Sequence, residues 1–308
     1  TCSYSTILDD SNHINKYLSR ILSTNGFNEH YSNSLYSDKE NLLFSKKMDV
    51  EISNPLSSDM KYLRNSIIPG LLNAVSFNIN HGNKNFKLFE MGAIHKNIID
   101  KKEKKYIQEN SLGISWCSLV KKDWKNSGIL DLFDIKGEIV SIFKLLGLPI
   151  SFNEKNGVLE IFSSNKKIGH LLFGESIALK ALKSNTNAYF AEINVDTISK
   201  IYNENLKKDT IELPSPYPTV ERDISILISK DIEYQDISAS ITSSAGSLLK
   251  EISLFDLYVD KKISKDKHSL SISLLFSSKG RTLKDDEIDE VMNRILKELK
   301  NEFKITQR

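Results

Sequence analysis

The 308-residue sequence contains few of the residues that form disulfide frameworks or compact metal sites. Its two cysteines, Cys2 and Cys117, are too few for either purpose. We therefore predict a reduced, cytoplasmic protein, with Cys117 in the core of an apolar strand. The six histidines are scattered singly, so none has the spacing of a metal site.

Long apolar runs and a strong net charge are absent as well. No stretch is long enough to span a membrane, and the first residues lack the basic and apolar segments of a secretory signal. Lysine and arginine number 42 against 40 acidic residues, so the net charge of +2 does not indicate a nucleic-acid partner. Because the sequence begins at Thr1, we expect a piece of a longer chain.

The common motifs of phosphate binding and hydrolysis are also missing, namely GxxxxGK[ST], GxGxxG, GxSxG and HExxH. Asp131, Asp134 and Glu138 have helical spacing and could form an acidic site. A solvated helix face, paired with Lys136, is the simpler interpretation. The motifs alone favour a binding or scaffold protein over an enzyme.

Proline is scarce but clustered, and the cluster predicts two domains. Three of the six prolines lie at Pro214, Pro216 and Pro218, between two periodic regions. Such a segment is typical of a stiff, extended connector. We predict a first domain over residues 1–205, a linker over 206–213 and a second domain over 214–308.

Hydrophobic periodicity in the second domain predicts a ferredoxin-like fold. Period-two and helical patterns alternate in the order β-α-β-β-α-β. The segments are the strand 222–228, the helix 237–249, the strands 251–258 and 269–276, the helix 285–299 and a short strand at 304–307. Both helices lie on one side of such a sheet, so its other face is open to a ligand.

The first domain mixes helices with strands that are mostly not parallel, which indicates an α+β fold with an antiparallel sheet. The apolar spacing of residues 12–25 predicts an amphipathic helix. The segment from Phe86 to Ile94 is predicted to be a buried strand. The charged run from Asp100 to Glu109 is expected to be a solvated loop, and Ile177 to Leu182 a short helix.

Several long motifs occur in the order found in one known family. They are LRNSIIPGLLNAVSFNINHGNKNFKLFEMGAIH, ILDLFDIKGEIVSIFKLLG, YPTVERDISILI, FDLY and RTLKDDEI. Together they resemble the β subunits of bacterial phenylalanyl-tRNA synthetase, and the resemblance covers Asn12 to Arg308.

This resemblance implies a class II synthetase-like domain that does not aminoacylate, followed by a ferredoxin-fold anticodon-binding domain. It also implies a catalytic α subunit and tRNA(Phe) as partners, within an α2β2 heterotetramer. ATP and Mg²⁺ would serve the complete phenylalanine–tRNA ligase, with no cofactor bound by this chain.

The sequence gives an independent reason to expect an inactive first domain. Activation of an amino acid builds charge on the α-phosphoryl group of ATP, which active class II domains stabilise with arginines. The corresponding strands are FKLFEMGAI and NAYFAEINV, and neither contains arginine. Lys87 is the single cation of the first strand, and the second has none.

The helix at 12–25 occupies the place of the first class II motif, which builds a subunit interface in that family. Its apolar stripe could pack against the α subunit, or it could cover its own sheet. The residues assigned to the interface are Ile14, Leu18, Ile21 and Leu22.

On the last domain, the FDLY strand predicts an anticodon site. Asp256 and Tyr258 share one face, where a ring can stack on a base and a carboxylate can accept from an amino group. Phe255 and Leu257 are expected to face the core. Further candidates are the loop cations Lys261, Lys262, Lys265, Lys267 and His268, and also Ser269, Arg222 and Arg281.

Without the resemblance, a structural role is the better explanation of these residues. Tyr258 could be a half-buried sheet residue, the lysines could only solubilise a loop, and Arg222 could pair with Glu221 or Asp223. The alternative function is therefore a protein–protein interaction scaffold with no direct tRNA contact.

Overall fold

The computed structural model describes residues 11–42, 50–83, 85–100, 103–117, 120–122, 127–129, 131–173, 188–206, 215–259 and 266–307. The chain divides into two units, Thr1–Asp209 and Thr210–Arg308. The linker at 206–213 stays a prediction, and the helix predicted at 177–182 lies outside the described residues. Among the described helices, none is both long and apolar enough to cross a membrane.

The first unit is built on a seven-stranded sheet with helices on its two faces. The helices of the unit are α1 (Ser11–Thr24), α2 (Asp38–Leu42), α3 (Ile68–Asn80), α4 (Leu132–Lys144) and α5 (Val195–Leu206). Its strands are β1 (Asn28–Glu29), β2 (Leu35–Tyr36), β3 (Val50–Glu51), β4 (Tyr62–Leu63), β5 (Phe86–Asp100), β6 (Glu103–Cys117), β7 (Val120–Lys122), β8 (Ser127–Ile129), β9 (Ser151–Lys155), β10 (Val158–Ser163), β11 (Lys166–Leu172) and β12 (Ala188–Asn194). The order in the seven-stranded sheet is β1-β5-β6-β12-β11-β10-β9, with β1 parallel to β5 and the other pairs antiparallel.

Alternation along the strands of this sheet fills two separate cores. In β6, Leu112, Ile114 and Trp116 join the core beneath α1, α4 and α5, whereas Cys117 joins the core beneath α3. Burial raises the pKa of the Cys117 thiol to about 11, so this side chain is an inert core residue.

The apolar stripe of α1 is buried in the first of these cores. Ile14, Leu18, Ile21 and Leu22 are at most 5% exposed and pack against the sheet of their own chain. These side chains offer no surface to a partner in this structure. The alternative that the stripe covers its own sheet fits the packing, and the subunit-interface assignment of these four residues is corrected accordingly.

The acidic residues near α4 cap a helix and hold it to the sheet. The Asp131 carboxylate accepts hydrogen bonds from the backbone N–H groups of Phe133 (2.8 Å) and Asp134 (3.1 Å), and Asp134 accepts one from the Asp131 N–H (3.0 Å). Glu138 accepts a hydrogen bond of 2.6 Å from the Trp116 indole. The three carboxylates therefore have structural roles, although Lys136 is not their partner.

The charged run at 100–109 is largely strand, so the loop prediction was wrong. β5 and β6 pair continuously from Phe86–Cys117 to Asp100–Glu103. Residues 103–109 thus extend a two-stranded arm whose backbone hydrogen bonds are made regardless of the polar side chains. Ladder pairing outweighs the preference of charged residues for loops.

The second unit has the predicted βαββαβ order and a ferredoxin-like sheet. Its elements are β13 (Val220–Ser229), α6 (Tyr234–Ala245), β14 (Leu249–Tyr258), β15 (Lys267–Phe276), α7 (Asp285–Phe303) and β16 (Thr306–Gln307). The strand order is β14-β15-β13-β16, with all pairs antiparallel. One face of the sheet, which includes Ile224, Ile226, Ile272 and Leu274, packs against both helices.

A buried ion pair lies on the α3 side of the first sheet. The Arg64 guanidinium is 3% exposed, lies 2.5 Å from the Glu90 carboxylate and donates to the carbonyl of Ala93 at 2.9 Å. Its other amino group occupies the space above Gly92, where an added Cβ would lie 1.8 Å from Nη2. Glycine at position 92 is therefore required by the arginine.

We predict that Gly92→Ala lowers the free energy of unfolding by about 3 kcal/mol, because the new methyl group displaces the guanidinium from Glu90. Urea unfolding monitored by circular dichroism measures this change. Gly137→Ala is the matched control, since its Cβ would meet nothing within 4 Å. The control should keep or gain stability, by up to about 1 kcal/mol, and an unchanged midpoint for Gly92→Ala would contradict the argument.

Candidate nucleic-acid interface

The face of the second sheet that points away from α6 and α7 is polar. Cross-strand pairing brings Glu221, Asp223 and Ser225 of β13 opposite Leu275, Ser273 and Ser271 of β15. The hydroxyl groups of Ser225 and Ser271 are 3.0 Å apart, and Ser273 donates to the Glu221 carboxylate at 2.6 Å. We call this surface, formed by β13, β14 and β15, the open face.

A β-bulge in β14 decides which side chains of the FDLY segment reach the open face. Leu254 pairs with Ile272, but the next pair is Asp256 with Ser271, so Phe255 is an extra residue. The pairs Asp256–Ser271 and Tyr258–Ser269 follow. Since directly opposite residues project from the same side of a sheet, Asp256 and Tyr258 lie on the open face, as predicted.

The prediction for Phe255 and Leu257 was wrong, because neither side chain enters the core. Phe255 is 58% exposed and Leu257 56% exposed, whereas Tyr258 is 38% exposed. Leu257 lies opposite Leu270 on the helix-bearing side. β14 is an edge strand of the described sheet, and no described strand lies along its outer flank to cover these side chains.

Neither predicted arginine is placed beside Asp256 and Tyr258. Arg222 lies opposite Leu274 on the helix-bearing side, and its guanidinium is 2.7 Å from the Asp285 carboxylate. Arg281 donates two hydrogen bonds to Glu287, of 2.6 and 2.7 Å, and this pair lowers the pKa of the Glu287 carboxyl. Both arginines therefore stabilise the first turn of α7.

The remaining predicted residues are only partly brought together. Ser269 is buried between Tyr258 and Leu227 in the cross-strand register, and Lys267 lies opposite Ser229 at the same end of the sheet. His268 is on the helix-bearing side, where burial, and then the charge of Lys230, lowers its pKa. Lys261, Lys262 and Lys265 lie outside the described residues.

Carboxylates dominate the charge of the open face. Glu221, Asp223 and Asp256 lie on it, and Lys267 is at its end. Such a face repels phosphates at its centre but can accept hydrogen bonds from the amino groups of bases. Ser225, Ser271, Ser273 and Glu221 were not predicted as site residues. The alternation of serine with apolar residues in β15 was the signal in the sequence that could have identified the serines.

On the first sheet, Lys87 and Lys96 are neutralised by carboxylates. Lys87 pairs with Glu138, and its ammonium lies 5.0 Å from the ring centroid of Phe27. A cavity of about 440 Å³ on the α3 side is lined in part by Lys96, Glu109 and Glu192. Lys96 pairs with Glu109 at 2.7 Å, and Glu192 accepts hydrogen bonds from Ser66 and from the backbone at the start of α3.

This arrangement leaves little positive charge to stabilise a phosphoryl group. Burial is also the main reason that the pKa of His170, at the edge of the same cavity, is lowered, so the ring is neutral near pH 7. Within the described part of the chain, no three histidine, cysteine or acidic side chains form a metal-binding group.

We predict that Phe255→Ser leaves the melting temperature unchanged, because most of the ring is already in water. Leu274→Ala, at a fully buried position of the neighbouring strand, should instead cost about 3 kcal/mol. Thermal unfolding of the two variants separates these cases. A large loss for Phe255→Ser would show that the ring belongs to the core, as the sequence pattern suggested.

Comparison with known proteins gives two matches that together cover most of the chain. Residues 3–195 match the family described as the phenylalanyl tRNA synthetase beta chain CLM domain. Residues 215–308 match the ferredoxin-fold anticodon binding domain.

Curated relatives carry the same family name. The phenylalanine–tRNA ligase beta subunit of Buchnera aphidicola is 31% identical over 100% of this chain and 39% of its own length. Those of Bacteroides fragilis and Francisella tularensis are 30% and 29% identical, over 96% and 92% of this chain. The chain spans 36–39% of the length of these three relatives.

Among solved structures, a pyrrolysyl tRNA synthetase from Desulfitobacterium hafniense matches with a TM-score of 0.48 and 10% identity, over 63% of this chain and 67% of that one. The family assignment depends instead on the sequence matches to both units. The chain belongs to the family of phenylalanyl-tRNA synthetase β chains.

Proposed function

We propose that this chain is the part of a phenylalanine–tRNA ligase β subunit that binds the anticodon region of tRNA(Phe) and supports a catalytic α subunit. The match of residues 215–308 to an anticodon-binding domain is the observation that carries this proposal. The unit of residues 214–308 would bind the nucleotides, and residues 1–205 would act as the scaffold.

The geometry of the open face suggests how anticodon bases are held. Asp256 and Tyr258 are presented side by side at an exposed edge strand, beside the hydroxyl of Ser271. A base stacked on the tyrosine ring would place its edge near the carboxylate and the hydroxyl. Because the face is acidic, we infer that it recognises base edges, while Lys267 and the loop lysines contact phosphates.

The finer features of the complete enzyme belong to the same proposal. The α subunit would hold ATP and Mg²⁺, and two copies of each subunit would form a cytoplasmic α2β2 heterotetramer. The paired state of Lys87 and Arg64 supports a scaffold role for the first unit, since neither cation is available to a nucleotide phosphate.

A protein–protein interaction scaffold is the second candidate, and the exposed end of β14 favours it. Four apolar side chains there are at least 38% exposed, namely Leu254, Phe255, Leu257 and Val259. An edge strand of this kind can pair with a strand of another protein. Under this alternative the second unit would not distinguish one tRNA from another.

We predict that Tyr258→Ala weakens binding of tRNA(Phe) by roughly 5- to 150-fold, the range expected for losing one stacked base. Fluorescence anisotropy with the 308-residue chain measures the dissociation constant. Tyr106→Ala, which removes an exposed tyrosine of the first unit, is the control and should bind normally. Equal affinity for a tRNA with a swapped anticodon would contradict anticodon recognition.

We predict that Lys267→Ala weakens binding of cognate and anticodon-swapped tRNA to the same degree, because a phosphate contact carries no sequence information. The slope of log affinity against log salt should become shallower by roughly 0.7. Titrations at four salt concentrations measure this slope. A slope that is already zero for the wild-type chain would favour the scaffold alternative.

A further inference from the structure

The cavity on the α3 side of the first sheet is large enough for a small molecule. Its volume of about 440 Å³ is within the usual range of roughly 300–1,000 Å³ for ligand sites. Its lining comes from β5, β6, β11 and β12 and from the segment that precedes α3. Ile94 and Ile168 contribute apolar surface, and most of the other lining side chains are polar.

The charges in and around this cavity do not cancel. Lys96 pairs with Glu109 at 2.7 Å, and Lys167 pairs with Glu160 at 2.5 Å. Among the described residues that line the cavity or form ion pairs with its lining, Glu192 is the third carboxylate against two ammonium groups. A negative charge is therefore left at Glu192, which is 8% exposed.

The groups that hold the Glu192 carboxylate are neutral, so they stabilise its charge without removing it. The Ser66 hydroxyl donates to Oε2 at 2.7 Å, while the Ile67 N–H and the Ser111 hydroxyl donate to Oε1 at 2.8 and 3.2 Å. The amino end of α3 offsets about half of a unit charge. In the described contacts Oε2 accepts from Ser66 alone, and a carboxylate oxygen can accept two hydrogen bonds.

A second acceptor lies next to this carboxylate. His170 is directly opposite Glu192 in the pairing of β11 with β12, so both side chains project from the same side of the sheet. Burial lowers the pKa of His170, and the ring is neutral near pH 7. A neutral imidazole has one nitrogen that accepts a hydrogen bond. The cavity thus presents a carboxylate and a ring nitrogen to the donor groups of a ligand.

We propose that this cavity binds a small molecule through a protonated primary amino group, which donates to Oε2 of Glu192 with His170 as the second acceptor. An ammonium supplies three N–H donors and the positive charge that the carboxylate lacks. Ile94 and Ile168 would contact the carbon chain of the ligand. An anionic group at the same place would be repelled by Glu192. The site does not depend on the function proposed above.

Methyl NMR of the 308-residue chain, observed at isoleucine, tests the proposal on the wild type. Ile94 and Ile168 line the cavity, whereas Ile272 is in the core of the second unit. Butylamine hydrochloride should shift the methyl signals of Ile94 and Ile168 in a saturable manner and should leave that of Ile272 unchanged. Butan-1-ol has the same carbon chain without the charge, and at equal concentration and ionic strength it should shift none of them.

Removal of the carboxylate charge should weaken the binding of butylamine. For Glu192→Gln we expect a loss of roughly 10- to 150-fold in affinity, the range for one charge-assisted hydrogen bond. Glu204→Gln is the matched control, because the Glu204 carboxylate is 56% exposed and pairs with Lys166. This control should bind like the wild type. The comparison of butylamine with butan-1-ol needs no variant, so it decides the case even where Glu192→Gln does not fold.

A further probe separates two sources of the amino group. 2-Aminobutyrate adds a carboxylate beside the ammonium of a similar chain. Tighter binding than butylamine would identify an amino acid as the ligand, and weaker binding would identify a simple amine. In both cases the binding should be lost in Glu192→Gln, because both require the ammonium at this carboxylate.

Three results would overturn the proposal. The first is a titration with butylamine that leaves the Ile94 and Ile168 signals unchanged. The second is an equal response to butan-1-ol, which would show that the charge has no role. The third is a folded Glu192→Gln variant that binds butylamine as tightly as the wild type does.

Discussion

The pairing of β5 with β6 is the constraint on which the first unit depends. These two strands, of 15 residues each, form one uninterrupted antiparallel ladder. The ladder determines that Phe89, Leu112 and Ile114 face one core, while Glu90 and Ser111 face the other side. A slip of β5 by one residue would exchange its two sets of side chains, placing the Glu90 carboxylate in an apolar core and the Phe89 ring beside Arg64. The α1, α3 and α4 helices can dock only because this register is unique.

The separation of the two faces also explains how the polar groups of the first unit are used. Its carboxylates accept hydrogen bonds from helix ends and from the neighbouring cations, as Glu192 does at α3 and Glu138 at Lys87. A cation that could have stabilised a nucleotide phosphate, such as Lys87, is thus used in an ion pair that joins a helix to the sheet. The second unit has the opposite design, because its helices cover one face of the sheet and leave a polar face with carboxylates and hydroxyls exposed.

Much of the fold could be predicted from the sequence, because the strongest signals were periodic. The isoleucine alternation in β13 and the serine alternation in β15 were sufficient for the ferredoxin-like order. Three features could not be read in this way. The β-bulge at Phe255 depends on how two strands pair, and the burial of Leu18 depends on which helix face meets the sheet. The strand at Glu103 is stabilised by its partner rather than by its own residues.

The candidate site was predicted less completely for the same reason. Asp256 and Tyr258 reach the expected face through a bulge, whereas Arg222 falls on the helix-bearing side once the register of β13 is known. Alternation within one strand shows which residues share a face, but it does not show which face is covered. Ion pairs such as that of Arg281 with Glu287 lie outside the strands, so strand periodicity does not predict them.

The Arg64 guanidinium fills the space above Gly92, so the residue allowed at position 92 depends on the residue at position 64. A side chain at position 92 displaces the guanidinium of Arg64, and a shorter residue at position 64 would leave the buried Glu90 carboxyl without its ion-pair partner. Changes during evolution must therefore occur at all three positions in a coordinated order, which we expect to appear as covariation among related chains.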